Sequence, residues 1–410
     1  GDDAQAIYSF RGADVRNILS FPQRYPDARE FRLETNYRST PDILALANAS
    51  IACNTRRLPK ELRAVRPGGL KPAFVMCRDH YVQARFVAEY ILHLLDEGRK
   101  LNDIAVLYRS HWHALELELE LRARNIPYHV RGGIRFFEQA HIKDTVAFLR
   151  LIQNPRDEMA WSRTVQLLPR VGPQQARRLW QQIERTDDPL AAARAPEAQA
   201  LLAPSARPFY QQFTALLDTL LSLQAPAEMM DAILTSFYGD YIDTHYDGAA
   251  LRKEDIRGLA NFSAQYNTLE AFLSDASLAG EFEGETCKTG PEEQEFVILS
   301  TVHQAKGLEW PVVMIPWLSD GRFPTDLAIN TPEEEEEERR VFHVATTRAK
   351  DELYLVTPQF YYSRGAMTLM KPSRFLMEIP RTLYETMELC EDLPGVTVGK
   401  KGDTRPRTGR

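Results

Sequence analysis

The sequence predicts an α/β protein in which a parallel sheet is interrupted by a mostly helical insertion. Two observations carry that expectation. Six short runs, 31–33, 73–77, 104–108, 296–300, 312–316 and 353–356, read as buried strands, apolar on consecutive residues except at Arg32 and the run ends, and helical patterns such as 81–95 and 114–124 lie between them. Strands covered by helices on both faces read in this way, whereas half-exposed strands alternate. From 151 to 285 the pattern changes. Leucine-rich helical stretches (174–183, 209–223, 227–237) follow one another without a strand, punctuated by Pro189, Pro196, Pro204, Pro208 and Pro226. The Gly- and acid-rich segment 280–295 reads as the return to the sheet, and 383–410 as a disordered tail.

Composition narrows the class. With 410 residues, 44% hydrophobic and 26% charged, the chain has enough apolar material for two or three packed domains, which excludes a largely disordered protein. No apolar run approaches the ~20 residues of a bilayer span, so no membrane association is expected. Four scattered cysteines (Cys53, Cys77, Cys287, Cys390) fit neither a disulfide framework nor a zinc site and point to a reducing, cytoplasmic setting. Net charge is −7, so any nucleic-acid partner must be met by local basic clusters; Glu333 to Glu338 alone supply six of the negative charges. The chain opens at Gly1 in what reads as the middle of a motif, which leads us to expect an N-terminally truncated fragment.

Four segments carry polar residues where a core would not place them. In Gly1-Asp2-Asp3-Ala4-Gln5-Ala6-Ile7-Tyr8-Ser9-Phe10-Arg11-Gly12, Gln5 suits orienting a water or touching a phosphate, and Phe10 with Arg11 suits stacking on a base and pairing with its phosphate. A surface turn with one buried aromatic explains the same residues. In Asn36-Tyr37-Arg38-Ser39-Thr40-Pro41, Thr40 as N-cap and Pro41 at the first helical position start a helix. Arg38 then lies between the carboxyl end of a strand and a helix amino end, where open α/β sheets bind ligands; a surface ion pair is the alternative. Ser300-Thr301-Val302-His303-Gln304-Ala305-Lys306-Gly307-Leu308-Glu309 follows a buried strand and suits phosphates and hydroxyls, although Lys306-Gly307 also reads as a solvated turn. Finally, the glutamate run before Arg339 and Arg340 favours a helix amino end with i,i+4 pairs, and Arg348 follows two threonines as a second phosphate-facing arginine.

In their order and spacing these segments closely resemble the C-terminal motifs of UvrD/Rep/PcrA-type superfamily 1A DNA helicases. The opening resembles motif III, Asn36-Tyr37-Arg38-Ser39 motif IV, 301–309 motif V and 344–349 motif VI. Gly132-Gly133-Ile134-Arg135-Phe136-Phe137-Glu138, then Ile142-Lys143-Asp144, is similar to the stretch preceding the family's helical 2B insertion. Pro372-Ser373-Arg374-Phe375-Leu376 with Ile379-Pro380 resembles the close of its second motor domain. The resemblance implies a RecA-like, P-loop NTPase-type fold: 1–25 as the end of a first motor domain, 26–150 and 286–382 as the second, and 151–285 as the insertion.

It also implies roles. Gln5 would sense the γ-phosphate and attacking water, Tyr37 stack on adenine, and Arg38 and Arg348 neutralise charge on the γ-phosphate, each arginine worth roughly 10³–10⁵ in rate. Gly307 and Glu309 would border the nucleotide, Glu309 on the ribose. Tyr8, Phe10, Arg11 and His303 would face single-stranded DNA or a single–double-strand junction, and Arg170-Val171-Gly172-Pro173 resembles the step of the insertion that touches duplex. The cofactor would be ATP with Mg²⁺, but a Gly-Lys-Thr/Ser phosphate loop and its acidic partner are missing from the sequence. The isolated chain is therefore expected to be ATPase-inactive, as part of a 3′-5′ DNA helicase of repair or replication. A helicase–nuclease subunit and a non-catalytic DNA-binding remnant are the alternatives.

Overall fold

Consecutive apolar strands dictate the centre of the molecule. The computed structural model describes residues 1–9, 12–131, 136–246, 248–280, 295–364, 366–389 and 398–399. Its chain divides into two units, one formed by 1–133, 291–362 and 367–410, the other by 134–290 with 363–366.

The first unit holds the sheet. Its strands are β1 (Ala73–Asp79), β2 (Ile104–Tyr108), β3 (Tyr128–Val130), β4 (Val297–Thr301), β5 (Trp310–Ile315), β6 (Ala349–Ser363), β7 (Ala366–Leu369), β8 (Glu385–Leu389) and β9 (Val398–Gly399). The order is β9-β8-β1-β6-β5-β2-β4-β3, with β7 beside β6. Every pair from β8 to β3 is parallel, and β9 joins antiparallel.

Because side chains alternate across a strand, consecutive apolar residues feed two cores. Ala105, Leu107, Val313, Ile315, Leu353 and Leu355 pack on one face with Ile43 and Leu46 of the Pro41–Ala52 helix and Val341, Phe342 and Ala345 of the Pro332–Thr346 helix. Ile104, Val106, Val312, Met314 and Val356 pack on the other face with Phe86, Val87 and Ile91 of His80–Asp96 and Leu117 and Leu121 of Leu115–Ala123. Five of the six expected strands are present. The sixth is not: 31–33 forms no strand, and Phe31 and Leu33 are 83% and 87% exposed. An apolar run becomes a strand only where a neighbour accepts its backbone hydrogen bonds, and here pairing is limited to Thr35–Asn36 with Arg63–Ala64. β3, β7, β8 and β9 were not anticipated. The expected tail at 383–410 is corrected at its start, since Glu385–Leu389 is a sheet strand with Met387 buried against the second core. Lys400, Lys401, Arg405, Arg407 and Arg410 lie outside the described residues.

In the second unit the described residues from Phe136 to Gly280 form helices and no strand, the longer ones running from Ala140–Gln153 to Leu269–Gly280. The prolines explain the segmentation. Pro173, Pro189, Pro196 and Pro226 occupy first helical positions, where the missing N–H has no helical partner to lose. The expected helix 227–237 ends at Thr235, and Ser236 caps the next, Phe237–His245, by accepting from the Tyr238 amide. Phe148, Trp161, Tyr210, Phe213 and Leu217 fill the core. A buried polar set crosses it: the Tyr238 hydroxyl donates to Asp144 at 2.9 Å and Arg163 Nε to the same carboxylate at 2.6 Å.

Candidate functional site

The Asn36–Thr40 turn is built by local bonds and then stitched to a distant strand. The Asn36 side-chain oxygen accepts from the amides of Arg38 and Ser39, both at 2.9 Å. Ser39 Oγ donates to the Ala349 carbonyl at 2.6 Å and the Thr40 amide to the Lys350 carbonyl at 3.1 Å. Thr40 is the N-cap, but its hydroxyl makes no capping bond. The result is that Arg38, 310 residues away in the chain, reaches the neighbourhood of Arg348.

Around the two arginines the charges are uneven. Arg38 Nε donates to the Glu309 carboxylate and Nη1 to the Thr347 carbonyl at 3.2 Å; Lys350 Nζ holds Glu309 from the other side at 3.0 Å. Hydrogen bonds from Arg38 and Lys350 keep the Glu309 carboxyl below its usual range. Arg348 is 2% exposed and donates to the carbonyls of Val344 (3.1 Å) and Leu308 (2.9 Å) and to Thr347 Oγ1 (3.3 Å). All three acceptors are neutral. Burial, and then the charge of Arg38, push the Arg348 guanidinium down from 12.5 to about 10. Arg38 and Lys350 thus share the Glu309 carboxylate while Arg348, among the described residues, is paired with none, a surplus of positive charge that suits a polyanion. Tyr37 stands 75% exposed beside them in sequence, a free ring face.

Gln5 belongs to the same neighbourhood. Its Nε2 donates to Asp2 at 2.8 Å, and Asp2 takes Lys60 Nζ at 3.0 Å. Burial alone would raise the Asp2 carboxyl, but Lys60 brings it below the ordinary value, and its charge extends to Arg348. Behind Gln5, the Tyr8 hydroxyl donates to the His303 carbonyl at 2.7 Å, with the two rings 6.0 Å apart. Phe10 and Arg11, and the 132–135 stretch, lie outside the described residues. Gly307 is exposed at φ +92°, a conformation that a side chain rarely adopts, so its part is to turn the chain between Lys306 and Glu309.

The glutamate run is more than a solvated helix end. Thr331 and Glu334 form the capping box, as expected for a helix start, and Arg339 pairs with Glu335 and Arg340 with Glu336 at i,i+4. Glu336 is buried, accepting from the Thr55 amide and hydroxyl, both at 2.7 Å. Glu338 receives Arg109 through three hydrogen bonds of 2.7–3.0 Å. Lys60, Arg109 and Lys350 were not singled out from the sequence; only Lys350, two positions after Arg348, had a signal in its proximity. Among the described residues no group of three His, Cys, Asp or Glu is placed to hold a metal, and no helix is long and apolar enough to cross a membrane.

Comparison with known proteins supplies the family. The UvrD-like helicase C-terminal domain matches residues 31–188 and 212–359, and the UvrD/REP helicase N-terminal domain matches 1–26. The ATP-dependent DNA helicase PcrA of Bacillus subtilis is 33% identical over 434 aligned positions, covering 100% of this chain and 57% of that protein. DNA helicase II of Escherichia coli is 35% identical, covering 95% of this chain and 56% of that one. The chain thus spans little more than half the length of the relatives it matches. With its parallel sheet, its clustered motif residues and a family match over most of its length, the chain belongs to the UvrD-like helicase family.

Proposed function

We propose that this chain is the second motor half, with its helical insertion, of an ATP-dependent 3′-5′ DNA helicase that couples hydrolysis to movement along single-stranded DNA in repair or replication. In this reading 1–25 end the first motor domain, 26–150 with 286–382 form the second, and 151–285 are the insertion. The observation that carries it is the Arg348 guanidinium, buried on neutral acceptors next to Arg38, an arrangement that a triphosphate would complete. Gln5 orients the attacking water, Tyr37 stacks on the base, and Glu309 takes the ribose hydroxyls once Arg38 turns to the phosphate. Lys350 then remains to hold Glu309. Mg²⁺ accompanying ATP would supply further charge neutralisation, while this chain's arginines and lysine are suited to the phosphate oxygens rather than to the metal. Tyr8 and His303, with Phe10 and Arg11, take single-stranded DNA by stacking and phosphate contact, which needs no base sequence.

The test is ATP hydrolysis, with and without oligothymidylate, by this chain and by a version extended upstream through a phosphate loop. DNA-stimulated turnover in the extended protein alone, abolished by Arg38→Ala or Arg348→Ala, is the expected result. Turnover by the present chain would mean that the nucleotide lies elsewhere. Inactivity of a folded extended protein would favour a DNA-binding remnant.

A further inference from the structure

Lys306 does not behave as a solvated turn residue. It is half-buried, its Nζ donates to the Gln5 main-chain carbonyl at 2.8 Å, and it stands 5.1 Å from the centroid of the Tyr8 ring. Tyr8 reaches back in the opposite sense, its hydroxyl donating to the His303 carbonyl at 2.7 Å. Each segment therefore contributes one donor to the other, and residues 5–8 are tied at both ends to the 303–306 loop. A charged donor on a half-buried carbonyl, reinforced by a cation over an aromatic face, is a stronger tie than a neutral loop contact. Gln5 is committed in two directions: its side chain to Asp2 and its backbone to Lys306.

The functional reading above assigns Gln5 to the phosphate side and Tyr8 with His303 to the DNA side, and the present inference rests on it. We propose that Lys306 is a positioning residue that makes occupation of the DNA side felt at Gln5. Without the tie, the short irregular stretch between Gln5 and Tyr8 absorbs any displacement of the 303–306 loop. With it, a base stacking on Tyr8 or a phosphate drawing in His303 moves or stiffens the Gln5 carbonyl, because one element is biased from both ends.

The experiment uses this chain as it is. Amide hydrogen exchange is followed in peptides covering 2–7 and 296–309, with and without an oligothymidylate of about 20 nucleotides, long enough to cross such a site. The wild type is compared with Lys306→Met, which keeps the stem over Tyr8 but removes the donor, and with Lys306→Arg, which restores it. DNA slows exchange in both peptides of the wild type. In Lys306→Met the slowing persists in 296–309 and is lost in 2–7, and in Lys306→Arg it returns. A purely structural lysine would change exchange equally with and without DNA, so the DNA-dependent difference is the informative quantity. Retention of protection in both peptides of Lys306→Met overturns the proposal, as does its absence from 2–7 in the wild type. Should Lys306→Met unfold, Tyr8→Phe removes the reciprocal bond while leaving the ring and is judged by the same difference. A wild type that binds no oligonucleotide instead overturns the functional reading, a result seen before any variant is made.

Discussion

Two buried arginines in this protein should respond very differently to the same change. Arg109 and Arg348 are each replaced by Met, similar in length and apolar. The Arg109 side chain is 9% exposed and that of Glu338 4%, joined by three hydrogen bonds of 2.7–3.0 Å. Removing Arg109 takes a three-bond cationic partner from a buried carboxylate, which costs about 3–5 kcal/mol. Arg348 has no such dependent. Its guanidinium is pushed from 12.5 to about 10, and at about 1.4 kcal/mol per tenfold this amounts to about 3 kcal/mol held against the charged form. Three hydrogen bonds to neutral acceptors return about 1 kcal/mol each. The two contributions nearly cancel, so Arg348→Met should leave stability within about 1 kcal/mol of the parent. Urea unfolding at pH 7, followed by tryptophan fluorescence and far-ultraviolet circular dichroism, measures both. A loss at Arg348→Met as large as that at Arg109→Met would refute the reasoning, showing that Arg348 is a structural cation and not one kept for a ligand.

Other consequences follow from the same structure. Burial pushes His343 and His80 down to about 4 and His113 well below its ordinary value. The unfolded chain therefore binds these protons more tightly, and stability should fall as pH drops from about 6.5 towards 4, by up to about 3 kcal/mol for His343, measured as the urea midpoint across that range. His343→Gln should flatten the profile. Glu116, raised to about 7 by burial, acts in the opposite sense, its contribution present at low pH and lost as pH rises through 7; Glu116→Gln should remove that limb of the same profile. Gly307→Ala forces a side chain into φ +92° with nothing within 4 Å to clash, so it should cost about 1 kcal/mol of backbone strain in thermal unfolding. Tyr37→Ala, at a 75% exposed position, should change stability by less than about 0.5 kcal/mol while weakening binding of a fluorescent ATP analogue by the extended protein.

Much of the fold was legible in residue order. Consecutive apolar residues at 104–108 become β2 without adjustment, because a strand buried on both faces requires an apolar side chain at every position. The helix start at Pro41 was equally legible, a local matter of proline's fixed φ, and the glutamate run marked the amino end of Pro332–Thr346. The same logic failed at 31–33, where Phe31 and Leu33 flank Arg32 and find no strand partner, and at Glu385–Leu389, whose polar residues hide a strand that is held by its parallel neighbour β1. Periodicity reports which side chains prefer burial; it does not report whether another backbone stands 5 Å away to accept hydrogen bonds.

The site divides along the same line. By itself, the sequence determined which residue types were present and in what order: Gln5, Tyr37, Arg38, His303, Glu309 and Arg348, at spacings that mark a family. Only the tertiary structure decided that Arg38 meets Glu309 across 271 positions, that Arg348 is buried on neutral carbonyls, and that Lys306 grips the backbone of Gln5 across 301. Electrostatic and hydrogen-bond partnerships depend on distance and burial in space. Those are set by how parallel strands are ordered in the sheet, and no local pattern along the chain carries that order.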